Sequence, residues 1–270
     1  MANRRDKQQS EARFRFGENW KHFIELLDDK RIAAAEASLQ EMLAVKDLKG
    51  MRFLDVGSGS GIFSLAARNL GASVISFDYD SQSVACTQEL KRRYCSEDEE
   101  WRVEAGDALD CDYMKSLGEF DVVYSWGVLH HTGDMWSALG NVIPLVSPMG
   151  KIFIAIYNDQ RWLSEYWKRV KRFYNKNVIG RWIVVGVHAP YFLMRHTVRS
   201  IVTGSRNRPR GMASWRDIVD WLGGYPFQVA RPEEIFDFFR ERGFTLDKMT
   251  TVDGRHGCNQ FVLRKTENTE

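Results

Sequence analysis

The chain has 270 residues, enough to bury a sizeable core as one large or two small domains. Its 44% apolar content is ordinary for a soluble globular protein, and its net charge is only +2. Four cysteines without a CxxC pair (Cys86, Cys95, Cys111, Cys258) exclude a disulfide framework and suit a reducing, cytoplasmic setting. The first sixteen residues have no apolar stretch of the kind a signal peptide needs. The longest apolar run, 182–194, contains His188 and Pro190 and is too short to span a bilayer.

In chain order, 11–46 predicts one or two helices lying outside the sheet. Residues 51–56 (MRFLDV) read as a short buried strand ended by a glycine run. Ile62, Leu65, Ala66 and Leu70 share one helix face, and Gly71 stops that helix. Residues 73–77 form a second strand. Asp80 or Ser81 then caps a helix through about Tyr94, with Val84, Leu90 and Tyr94 on one side. Further strands fall at 101–105, 120–125 and 150–156, with a helix at 136–146 between the last two. After a long interruption, 231–244 opens with Pro-Glu-Glu and closes at Gly243, as a helix should. Strands at 244–250 and 259–264 lie close enough for an edge hairpin. The alternation implies an α/β fold. Its seven-stranded sheet is mostly parallel and doubly wound, with an antiparallel edge hairpin, N-terminal helices and a helical insert after strand five. The expected division is an N-terminal helical cap at 1–48, a core at 49–156 and 231–270, and a helical insert at 157–230.

The first strand runs into DVGSGSG, where Gly57, Gly59 and Gly61 let the turn bend and let a ligand approach the backbone. Ligands in such sheets bind beyond the carboxyl ends of the strands. Asp78 ends the next strand, placed to accept both ribose hydroxyls of an adenosine-type ligand. A dinucleotide would fit so far. However, Ile62 stands where the dinucleotide fingerprint needs its third glycine, and Asp55 precedes the turn. A carboxylate there repels a pyrophosphate and attracts a sulfonium amino acid, so charge favours S-adenosylmethionine over NAD.

DVGSGSG resembles the first motif of the Rossmann-like (class I) S-adenosylmethionine-dependent methyltransferases. The resemblance covers about 53–156 motif by motif and 231–264 in layout. It implies that Asp55 lies near the methionine amino end, with Gly57, Ser58, Gly59 and Gly61 lining the cofactor. It places Asp78 on the ribose and Tyr79 against adenine. GDALD (106–110) looks like the acidic element after the third strand, with Asp107 on the adenine amino group and Ala108 offering its N–H. YSWGVLHHTGD (124–134) resembles the LHH segment of small-molecule members such as the quinone-biosynthesis methyltransferases. Trp126 and Gly127 would then give backbone contacts to the methionine end. The NPPY signature of nucleic-acid amino-methylating enzymes is absent.

Methyl transfer needs an aligned acceptor, excluded water and, for a hydroxyl acceptor, a base. His130 and His131 follow the fourth strand, where the acceptor arrives, and neutral imidazole suits the task. Adjacent side chains rarely point the same way, so at most one of the two is expected to face the site, with His131 favoured. The other can stack on the cofactor or cap the next helix. No residue set suggests a metal.

The segment 157–222 carries thirteen Lys/Arg against four Asp/Glu. In it Trp162, Tyr166, Trp167, Val170 and Tyr174 recur at helical spacing, and a helix pair across 180–202 is expected to break at Pro190. An insert there sits above the cofactor and forms an acceptor lid. Tyr157, Trp20 and the basic loop residues Arg206, Arg208 and Arg210 are its candidate acceptor contacts, suited to a carboxylate- or phosphate-bearing small molecule. The expected activity is methyl transfer from S-adenosylmethionine (giving S-adenosylhomocysteine) to such a molecule, on oxygen. The alternatives are N-methylation, RNA methylation through the basic insert, a lipid or quinone acceptor at a membrane surface, and a non-catalytic cofactor-binding partner.

Overall fold

A computed structural model describes residues 27–96, 98–203 and 221–267. The strands are β1 (Arg52–Val56), β2 (Ser73–Asp78), β3 (Trp101–Ala105), β4 (Phe120–Trp126), β5 (Val146–Tyr157), β6 (Phe244–Thr250) and β7 (Cys258–Lys265). They form one sheet in the order β3-β2-β1-β4-β5-β7-β6. β1 to β5 pair in parallel, and β7 runs antiparallel between β5 and β6. This is the expected doubly wound sheet with an antiparallel edge hairpin.

The period-two alternation of each strand divides the core into two layers. Phe53, Val74, Val122, Tyr124 and Phe153 face helices α1 (Asp29–Leu43), α2 (Ile62–Asn69) and α3 (Ser81–Tyr94). Leu54, Val56, Val123, Ile152 and Ile154 face the other way. They meet Met114 of α4 (Cys111–Ser116), Leu139 and Val142 of α5 (Met135–Val142), and Phe239 of α8 (Pro232–Arg240). Short polar residues start these helices. Asp28 accepts from Arg31 N–H, Asp80 from Gln82 N–H, and Asp110 from the N–H groups of Asp112 and Tyr113.

Some boundaries differ from the sequence pattern. The 136–146 helix ends at Val142, because Pro144 tightens the next turn and Val146 already pairs with Phe120 in a longer β5. Arg240 ends α8, before Gly243. Tyr94, the last residue of its helix, is exposed although Val84 and Leu90 are buried.

The insert holds α6 (Trp162–Lys176) and α7 (Val178–Thr203). Pro190 lies inside α7 and does not break it. A proline removes one helical hydrogen bond and crowds the carbonyl four residues back, which here belongs to Gly186. Backbone bonds tie the two ends of the insert together: Ala230 N–H donates to Tyr157 O (3.0 Å), and Asp159 N–H donates to Ala230 O (3.1 Å). Trp167, Tyr174, Val184, Ala189, Leu222 and Phe227 form a third, smaller core beneath it. Trp20, Arg206, Arg208 and Arg210 lie outside the described residues.

Candidate active site

The strand order reverses between β1 and β4, and ligands of open α/β sheets bind at such a switch point. The carboxyl ends of β1 to β4 bring Gly57–Gly61, Asp78, Asp107 and Trp126–Gly127 to that side. Gly57, Gly59 and Gly61 have φ of 81°, 55° and 79°, a region that suits glycine. A Cβ on Gly57 would lie 2.3 Å from Val128 Cγ1, and one on Gly61 would lie 2.8 Å from Thr87 Cγ2. The turn is thus pressed between the β4 loop and α3. Gly127, at φ 77°, faces open space.

Asp78 accepts Gly59 N–H (3.0 Å) on one carboxylate oxygen, which ties it to the turn, and Asp80 N–H (2.9 Å) on the other. Tyr79 beside it is half exposed. Asp107 accepts Leu109 N–H (2.9 Å), and the buried Ala108 is fixed by its carbonyl, which accepts from Asn141 (2.9 Å). Gly127 N–H donates to Ala155 O (3.1 Å), so a Gly127 contact to a ligand falls to its carbonyl.

Asp55 is buried under the turn rather than standing open at the strand end. Ser64 donates to it at 2.5 Å, Ser76 to Ser64 at 2.7 Å, and Trp101 to Ser76 at 2.8 Å. Burial pushes its carboxyl up to about 7; the Ser64 bond opposes this, and repulsion from Asp78 adds to it. Asp78 bonded to the glycine turn favours a cationic ligand and disfavours a phosphate, and Asp55 adds to this where it is ionised. These residues therefore fit a sulfonium cofactor.

The two adjacent histidines sit on one short helical turn after β4, Leu129–His131, and differ in chemistry. His131 Nδ1 lies 2.6 Å from Pro226 O, which can only accept, so Nδ1 carries the hydrogen and the neutral ring keeps its lone pair on Nε2. His130 is the reverse. Its Nδ1 accepts Tyr157 N–H (3.4 Å), so Nε2 carries the hydrogen; that atom is buried without a hydrogen-bond partner among the described residues. Burial first, then His131 and Lys171, hold His130 well below the usual imidazole range. It stays neutral and can donate, which leaves His131 as the base candidate. The chain returning from the insert fixes this turn. Gln228 N–H donates to His130 O (3.0 Å), and Gln228 Oε1 accepts Met135 N–H (2.9 Å).

Tyr157 stands at the centre of an aromatic wall, 4.1 Å from His130 and 5.4 Å from both Trp221 and Phe227, centroid to centroid. Lys171 is fully buried behind that wall. Its ammonium donates to Trp221 O and lies 4.2 Å from the Trp221 ring and 4.9 Å from the Phe227 ring. Sequence reasoning missed Lys171, although the signal was present: it is four residues after Trp167 and three before Tyr174, on their buried face. Trp221 and Phe227 carried no comparable periodic signal. Glu165 is exposed beside Lys168. Among the described residues, no group of three His, Cys, Asp or Glu could hold a metal ion.

Comparisons with known proteins agree with this fold. A family model described as a methyltransferase domain matches residues 27–249. A ubiquinone biosynthesis O-methyltransferase of Brucella ovis is 29% identical over 158 residues, 56% of this chain and 57% of that protein. The match thus spans little more than half the length of such curated relatives. Among solved structures, the Synechocystis magnesium protoporphyrin IX methyltransferase with bound SAH aligns at TM-score 0.51 and 14% identity, covering 88% of this chain and 83% of that one. A Burkholderia thailandensis 1,6-didemethyltoxoflavin-N1-methyltransferase aligns at 0.50 and 16%, covering 89% and 80%. The chain belongs to the class I, S-adenosylmethionine-dependent methyltransferase family.

Proposed function

We propose that this protein methylates a small hydroxylated molecule on oxygen, using S-adenosylmethionine. The reading rests on one observation: the Pro226 carbonyl fixes His131 in the tautomer whose Nε2 can take a hydroxyl proton. S-Adenosylmethionine supplies a methyl group on a cationic sulfur. Gly57, Ser58, Gly59 and Gly61 would line it, with Asp78 on the ribose, Tyr79, Asp107 and Ala108 around adenine, and Trp126 and Gly127 at the methionine end. Asp55 lies beneath the turn, where burial holds its carboxyl near 7, so it adds negative charge there only in its ionised form. His131 serves as base, and the neutral His130 holds Tyr157 in place. Tyr157, Trp221 and Phe227 offer an aromatic wall, and Lys171 behind it favours negative charge growing on the acceptor oxygen. The quinone-biosynthesis relatives support a flat aromatic acceptor. Arg206, Arg208 and Arg210, outside the described residues, are candidate contacts for a carboxylate or phosphate on it from their chemistry alone.

The test is transfer of labelled methyl from S-adenosylmethionine to hydroxylated aromatic acceptors and cell-extract metabolites. His131→Ala should lower kcat about a hundredfold to ten-thousandfold, with little change in cofactor affinity. An unchanged kcat removes His131 as base. Label found only on nitrogen refutes O-methylation.

A further inference from the structure

We propose that the outer face of the α6–α7 insert is a docking surface for an anionic lipid membrane. Trp162, Tyr166, Arg169, Phe173 and Lys176 recur every three or four residues, and all five are exposed. They form the side of α6 opposite the buried Trp167, Lys171 and Tyr174. Ile179, Trp182, Ile183, Val187 and Met194 form a second exposed apolar stripe, along α7. Trp162 is 76% exposed, Trp182 72% and Ile179 71%, large apolar side chains that a water-facing helix does not need. Between the stripes lies a groove of about 360 Å³ lined by Tyr166, Val170, Phe173, Ile183 and Val187, with Arg169 at its edge.

Charge selects the occupant. From Trp162 to Pro190 the exposed charged residues are Lys168, Arg169, Arg172, Lys176 and Arg181 against Glu165, on a chain whose net charge is only +2. A second copy would set five cations against five and repel. RNA would match the charge but leave Ile179, Ile183 and Val187 unburied. A bilayer surface with anionic headgroups satisfies both, because apolar side chains enter the headgroup boundary while Arg and Lys stay with the phosphates. Tryptophan at such a boundary is the expected anchor. Among the described residues no helix is long and apolar enough to cross a membrane, so α6 and α7 lie on the surface.

The experiment is flotation of the full chain with vesicles of phosphatidylcholine alone or mixed with phosphatidylglycerol, so it does not depend on the proposed acceptor. The protein should float with the mixed vesicles only and be released by high salt. Ile179→Ser with Trp182→Ser, and separately Arg169→Glu with Lys176→Glu, change exposed side chains. Each pair should lower binding at least tenfold while the melting temperature stays near wild type. Failure of the wild type to float with anionic vesicles overturns the proposal, as does wild-type flotation by both pairs. A dimer in sedimentation that Ile179→Ser with Trp182→Ser disperses would assign the face to a second copy, and that also overturns it.

Discussion

Asp55 shows how a residue's place in the sequence leaves its surroundings open. Its position before the glycine run marks a cationic ligand. That it faces Ser64 follows only from the pleat, which sends residues 53 and 55 toward α2. Its folded-state carboxyl sits near 7, above the ordinary 3.8, so the fold favours the protonated form. That contribution is fully present below the unfolded value and is lost as pH rises through about 7. Without cofactor, the unfolding free energy should therefore fall between about pH 4 and about pH 7 by an amount on the order of a few kcal/mol, read as a lower melting temperature. Asp55→Asn keeps a partner for Ser64 and should flatten that slope; an equally steep slope in the variant would place its origin elsewhere. The histidines teach the same lesson. The sequence placed both at the end of β4, but their opposite tautomers depend on Pro226, ninety-five residues after His131, and on the Tyr157 amide.

Helices α6 and α7 set propensity against packing at the level of the element. Pro190 reads as a break, yet α7 continues through it, and burial of Val184 and Ala189 against the insert core holds the turns that lead into the proline. Tertiary packing, not propensity, supplies most helix stability in proteins. Pro190 is exposed, so Pro190→Ala restores a backbone donor without disturbing that seam. It should stabilise the protein by up to about 3 kcal/mol, read as a higher urea midpoint. A lower midpoint would mean that the proline geometry itself is required. The amphipathic spacing of α6 was legible, including the buried side that carries Lys171. What a lysine does there was not, because Trp221 and Phe227 reach it from the far end of the insert.

For the whole molecule, the insert leaves β5 and returns to it at one place, where Asn158 bridges Ala230. Replacing 160–229 by a short glycine linker should leave a folded sheet that still binds S-adenosylhomocysteine in calorimetry. The same protein should lose methyl transfer altogether, since Trp221, Phe227 and the Pro226 contact to His131 go with the insert. Retained transfer would place the acceptor elsewhere. The two main cores share no residue with the insert core, and this independence underlies the prediction.

The sequence by itself determined the sheet, the order of its elements, the glycine turn and the acidic residues around it. Each of these is written in local periodicity or in short spacings along one strand and its loop. Only the tertiary structure decided which histidine keeps a lone pair, where Asp55 points and what surrounds Tyr157. Those outcomes depend on groups brought together across the insert, and on the burial that only a packed chain creates.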